Sequence, residues 1–297
     1  MAVQHADVGR GIQIAYEDLG AAGDPALLLV MGLGTQMLGW RDGLCAELAE
    51  RGLRPIRFDN RDAGLSTHLD GRAPHLSAVM AGDTSRAPYA LEDMAEDTTG
   101  LLDRLGIERA HVAGASMGGM VAQVMAYEHP ERVLSLTSIM STTGEPAASR
   151  PTEVAMQALL MPPVASADEA AERAVAVRAI VGSPAYPPDE DDVRAVARTA
   201  YERAYDPPGF ARQLAAIYRS GDRTERVRTL RVPALVIHGL ADQLIPPAGG
   251  RATAAAIDGA ELVEIDGMGH DLPRQLWPRL ADAIAGHVER AAAAQPA

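Results

Sequence analysis

Three side chains in this sequence have the types and order needed for nucleophilic catalysis: Ser116, Asp242 and His270. Ser116 sits in Gly114-Ala115-Ser116-Met117-Gly118, a G-x-S-x-G pattern that follows an apolar run from Ala110 and precedes Met120, Val121, Val124 and Met125 at helical spacing. A nucleophile elbow needs that context, because its serine stands on a tight strand-to-helix turn with the hydroxyl clear of the backbone. Glycine two residues before and after the serine keeps side chains out of the crowded turn. As a bare pattern the motif also recurs by chance in Gly- and Ser-rich loops, and a plain β-α turn is the bland alternative.

The partners must come from other strand ends. Ligands of open parallel sheets sit beyond the carboxyl ends of the strands. Four such ends carry useful groups: Met31-Gly32-Leu33-Gly34, Ser116, Asp242 and His270. The glycine pair at 32 and 34 permits a sharp turn with free N–H groups, as an oxyanion hole requires, although a simple β-α loop reads equally well from the segment alone. Asp222, Asp266 and Asp271 compete with Asp242, but only Asp242 follows a buried strand and precedes the histidine by one β-α unit. His238 is expected to be structural at a strand end, His129 to cap a helix C-terminus, and Asp266 to shape the turn before His270.

The elements that would hold these groups alternate between strand and helix. Alternation at Ile12, Ile14 and Tyr16 predicts an edge antiparallel strand within 8–20. Ala26–Val30, apolar on both faces, predicts a strand buried in a parallel sheet. A helix over 40–51, a strand over 53–58, a polar turn over 59–66 and a long connection over 67–90 follow; connections of that length tend to border sites. Helix 91–105, the elbow unit and strand 133–140 complete a doubly wound first half. Residues 145–226 then show only short amphipathic helical patterns, the clearest being Phe210, Leu214, Ile217 and Tyr218. They read as a helical cap, residues 1–144 and 227–297 forming the core; a mere packing subdomain is the alternative. Strands 233–239 and 261–265 and helices 246–257 and 272–292 close the chain, with a frayed end to 297.

Composition removes other chemistries. All 27 basic residues are arginine, which excludes a Schiff-base lysine, a P-loop lysine and a Ser-Lys dyad. The eight histidines lack metal-ligand spacing, so neither metal nor cofactor is expected. A formal charge of -13 disfavours nucleic acid as a partner. Without a membrane-length apolar run or a secretory signal the expectation is a cytoplasmic protein with no membrane partner, monomer or homodimer. The lone Cys45 belongs to a core pattern.

On the elbow Gly-Ala-Ser-Met-Gly-Gly, the acid motif His238-Gly239-Leu240-Ala241-Asp242 and the histidine motif Gly267-Met268-Gly269-His270, nearly the whole chain resembles the α/β-hydrolase fold family. Met-Gly-Leu-Gly with Phe-Asp-Asn-Arg-Asp-Ala-Gly-Leu-Ser is similar to the branch of capped bacterial esterases that includes aclacinomycin methylesterase. Where many relatives have His-Gly and Arg-Gly, this chain has Met31-Gly32 and Arg61-Asp62. The resemblance implies an α/β fold with a mostly parallel central sheet, helices on both faces and a helical cap after the sixth strand. It implies a serine hydrolase cleaving carboxylic esters of small to medium molecules through an acyl-enzyme. Ser116, His270 and Asp242 would be catalytic, with the backbone N–H groups of Leu33 and Met117 as oxyanion hole and Met31, Gly34, Met140 and Met161 as candidate substrate contacts. Carbon-carbon bond hydrolysis, acyl transfer or perhydrolysis by the same triad, and a non-catalytic ligand-binding protein, are the competing readings.

Overall fold

Alternate residues of strand Ala26–Val30 (β3) face opposite ways, and both faces are covered. Leu28 and Val30 pack into one apolar cluster and Leu27 and Leu29 into another. A strand apolar on both sides is stable only between two layers, which is why this run cannot be an edge. The computed structural model describes residues 2–294. It places β3 in an eight-stranded sheet with Gln4–Asp7 (β1), Gln13–Asp18 (β2), Arg54–Phe58 (β4), Ala110–Ala115 (β5), Val133–Ile139 (β6), Ala234–Gly239 (β7) and Glu261–Ile265 (β8). The spatial order is β1-β2-β4-β3-β5-β6-β7-β8. β1 and β2 pair antiparallel, as do β2 and β4; the other pairings are parallel.

The parallel connections are helical. Asp42–Glu50 (α1), Leu76–Met80 (α2), Leu91–Leu105 (α3) and Met117–Glu128 (α4) lie in the first half. Leu91, Met94, Leu101 and Leu102 of α3, spaced along one face, join Val121 and Val124 of α4 over Leu28 and Val112. Leu44 and Leu48 of α1 cover the other face with Leu280, Ile284 and Val288 of the last helix.

Between β6 and β7 the chain forms Glu153–Leu159 (α5), Ala167–Val181 (α6), Glu190–Arg203 (α7), Pro207–Ser220 (α8) and Thr224–Val227 (α9), with no strand. Ser166 and Asp189 cap α6 and α7 through side-chain oxygens that accept N–H bonds. The two ends of this helical segment meet. The Arg223 N–H donates to the Thr143 carbonyl (2.9 Å), and the Arg223 guanidinium donates to the Thr142 and Gly221 carbonyls (3.0 and 2.8 Å). Gly144 and Gly221 lie against each other there, both with positive φ. Pro247–Ala256 (α10) and Trp277–Ala293 (α11) finish the fold. Among the described residues no helix is long and apolar enough to cross a membrane.

Two expectations are corrected. The edge is β1, a four-residue polar strand without sequence signal, and the strand expected there is β2, one place inward. The His129 ring does not cap α4: its Nε2 pairs with Glu96 (2.8 Å), while its backbone N–H takes the Met125 carbonyl. The last three residues of the expected frayed end lie outside the described residues.

His111 on β5 is buried with its Nδ1 on Ser135 Oγ (2.8 Å), and burial, helped by the charges of His287 and Arg109, lowers its pKa to about 4. Unfolded, the ring protonates near 6.5. Between those values the unfolded chain holds the extra proton, so stability is full above about 6.5 and is lost as pH falls towards about 4. Burial lowers His238 and His287 in the same direction. The melting temperature should therefore fall across that window, and His111→Gln should make the fall shallower; a melting temperature independent of pH would contradict this account.

Candidate active site

β3 pairs with β4 on one side and β5 on the other, so the chain reverses its winding there. Such a reversal opens a crevice beyond the carboxyl ends of the two strands. The glycine loop leaves β3 at this point, and Ser116 leaves β5.

Ser116 has φ 57° and ψ −122°, an uncommon conformation for a residue with a side chain and one that costs on the order of 1–3 kcal/mol. Fixed neighbours hold it. Its N–H donates to the Ile139 carbonyl (2.9 Å), and its own carbonyl accepts from the Gly119 N–H (2.9 Å) and Ser141 Oγ (2.7 Å). The flanking glycines serve close approach: a Cβ on Gly114 would lie 2.1 Å from the Gly118 carbonyl oxygen, and one on Gly118 would lie 2.1 Å from that of Val30.

The structure brings Ser116, His270 and Asp242 together. His270 Nε2 is 2.9 Å from Ser116 Oγ, and His270 Nδ1 is 2.7 Å from Asp242 Oδ2. Because the carboxylate can only accept, Nδ1 carries the proton and Nε2 is left to accept from the serine hydroxyl. The other Asp242 oxygen accepts from the N–H groups of Leu244 and Ile245, both at 2.9 Å. His238, fully buried, has Nε2 on the Ile245 carbonyl (2.8 Å) and so steadies the turn that steadies Asp242. Burial pushes the His238 pKa down, keeping a second positive charge away from the site. Cys45 is no rival nucleophile, since burial pushes its thiol up to about 12.

Met117 follows Ser116 directly, and Leu33 belongs to the glycine loop beside it. Among the described residues their N–H groups donate to no acceptor; Met117 opens α4, where no preceding turn offers one. A Cβ on Gly32 would lie 3.1 Å from Ser116 Cβ, so the loop passes directly over the nucleophile.

Above these groups lies a cavity of about 1750 Å³, larger than the roughly 300–1,000 Å³ of ordinary ligand pockets. Met31, Gly34, Met140 and Met161 are all on its wall, with Met80, Met117, Met120 and Met156, so that seven of the twelve methionines line it. Thioether side chains make an adaptable apolar surface. Leu76 and Met80 bring the long connection to the wall, and the inserted helices supply Phe210, Leu214 and Tyr218.

The rival acids are engaged elsewhere. Asp271 pairs with Arg178 (2.8 Å) and with Ser183 Oγ, Asp222 accepts from Thr224, and Asp266 is exposed. Asn60, in the polar turn over 59–66, donates its Nδ2 to the Met31 carbonyl (2.9 Å), whereas Ser183, Arg178 and Gln213 carry no functional signal in the sequence. Only their place in the fold marks them. Asp62, His68 and Asp206 group within 4.8 Å as metal-ligand types, but Arg212 is hydrogen-bonded to both carboxylates and already compensates their charge.

A family model described as alpha/beta hydrolase fold matches residues 25–273. Rhodomycin D methylesterase DauP of Streptomyces sp. (strain C5) is 30% identical over 297 residues, covering 93% of this chain and 94% of that one. Rhodomycin D methylesterase DnrP of Streptomyces peucetius is 30% identical with the same coverage. The crystal structure of the enol-lactonase from Burkholderia xenovorans LB400 is 27% identical, covers 98% of this chain and 100% of that one, and superposes with a TM-score of 0.73.

Replacing Gly114 by alanine forces the elbow open. Overpacking of this kind costs about 1–3 kcal/mol, so Gly114→Ala should melt roughly 2–10 °C below the parent in a thermal denaturation scan; an unchanged melting temperature would mean that the turn has slack.

Proposed function

The chain belongs to the α/β-hydrolase fold family, and from that premise we propose that it is a serine carboxylic-ester hydrolase working through an acyl-enzyme. The observation that carries the reading is the relay from Asp242 through His270 to Ser116 at the crevice between β3 and β5. Ser116 Oγ attacks the ester carbonyl carbon as His270 Nε2 takes its proton, and Asp242 stabilises the imidazolium. The Leu33 and Met117 N–H groups receive the oxyanion. Collapse of the adduct expels the alcohol, protonated by His270. Water, deprotonated by the same nitrogen, then cleaves the acyl-enzyme and releases the carboxylic acid.

Residues 145–226 act as a cap that sets specificity over this centre, with 1–144 and 227–297 as the hydrolase core. The volume and the methionine-rich wall support a substrate with a large apolar body, at or above the upper end of the small-to-medium range. The activity named for the two Streptomyces relatives, methylester hydrolysis on rhodomycin D, supports a methyl ester as the scissile group.

Ser116→Ala should lower turnover of such esters by roughly 10⁶-fold, and Asp242→Asn by roughly 10⁴-fold. A series of methyl and p-nitrophenyl esters of increasing acyl size measures both, and near-parental activity of Ser116→Ala would remove the serine mechanism. Product analysis with added alcohols, amines and hydrogen peroxide separates hydrolysis from acyl transfer and perhydrolysis. Failure of an organophosphonate to label Ser116 would favour the non-catalytic reading.

A further inference from the structure

The Leu33 N–H can serve as an oxyanion donor only if its peptide plane faces Ser116. That plane joins Gly32 to Leu33, where a glycine on one side eases flipping, and its own tie is the long turn bond from the Thr35 N–H to the Gly32 carbonyl (3.2 Å). The neighbouring planes are each held by a side chain. On one side Asn60 Nδ2 donates to the Met31 carbonyl (2.9 Å). On the other, the Gly34 N–H donates to Gln213 Oε1 (2.8 Å). Gln213 belongs to α8, in the segment inserted between β6 and β7, and is fully buried. Its Nε2 donates to the Arg61 carbonyl (2.7 Å), in the turn that follows β4. An N–H can only donate and a carbonyl can only accept, so the two partners fix which end of the amide is which. The approach of α8 is close: Gly34 has φ 63°, and a Cβ there would lie 2.6 Å from the Phe210 ring.

We propose that Gln213 is a positioning residue for the oxyanion hole, holding the 32–34 loop in the donor orientation, so that the hole is complete only while α8 is seated on the core. The inserted segment is then part of the catalytic apparatus as well as a wall of the pocket. This rests on the serine esterase reading of Ser116 and His270.

Gln213→Met keeps the shape and removes both hydrogen bonds; Gln213→Asn keeps the amide and withdraws it by one methylene. Loss of an oxyanion donor costs about 10²- to 10³-fold and a misplaced one less, so each variant should lose about 10- to 10²-fold in kcat with KM nearly unchanged. Inhibition by a trifluoromethyl ketone analogue of the ester, which forms a tetrahedral adduct on the serine, should weaken by a similar factor, while inhibition by the product carboxylate should not change. A raised KM with unchanged kcat would assign Gln213 to the pocket wall and overturn the proposal. So would parental kinetics, or failure of both variants to fold. Ser116→Ala, assayed beside them, separates the two readings: if it keeps activity the esterase mechanism itself fails, and if only it is inactive the role of Gln213 alone fails.

Discussion

The site depends on how closely three pieces of backbone can approach. Ser116 reaches the crevice because Gly118 lets α4 start against the end of β3 and Gly114 lets that same turn fold back over β5. The distances a methyl group would have to occupy, near 2.1 Å, leave no tolerance. Once that contact is made, the strained serine backbone, the free N–H at the start of α4 and the glycine loop over the nucleophile are consequences of one packing event. Strain of this kind persists only where surrounding hydrogen bonds overdetermine it, and here the Ile139 carbonyl, the Gly119 N–H and Ser141 do so.

The helical segment between β6 and β7 meets the rest of the chain through buried polar contacts as well as apolar ones, Leu214 and Ala215 packing with Val79 and Ala87. Arg212 makes a two-pronged ion pair with Asp62 (2.9 and 3.0 Å), which also accepts from Tyr89 Oη (2.8 Å), and Arg203 of α7 reaches the fully buried Asp59 (2.7 Å). Desolvation takes back much of what such pairs contribute, but losing one partner strands a buried charge at a cost of about 3–5 kcal/mol. Pairs of this sort define one seat for the segment and penalise others. The histidine loop is tied in the same way, since the His270 N–H donates to the Val181 carbonyl (2.6 Å) and the Gly269 N–H to Ser183 Oγ (2.9 Å).

How far the sequence reveals this differs by element. β3 is legible because both its faces are apolar, β5, β6 and β7 because they are short, largely apolar runs that admit only small hydroxyl or single histidine side chains, and the elbow because its glycines stand at fixed offsets from a serine. β1 is not: its four residues are mostly exposed, and only pairing with β2 makes it a strand. Ser116, Asp242 and His270 could be singled out because each follows a strand end. Gln213, Ser183 and Arg178 could not, because a polar residue inside a helix or loop looks solvent-facing until its partner, far away in the chain, is known. His129 misled for a related reason, since a histidine at a helix end can engage through its backbone while its ring turns to another helix.

The junction at Arg223 bears on how such a molecule can change. The inserted helices leave and re-enter the core at one point, with Gly144 against Gly221 and one guanidinium bridging both strands of the crossing. Topologically the insert is a loop whose ends are already closed, and the closure entropy of such a loop grows only by about 0.6 kcal/mol per doubling of its length. Helices there can lengthen, shorten or be exchanged while the sheet keeps its register. Any replacement, however, inherits an obligation the connection itself does not impose: it must still present a group to the Gly34 N–H.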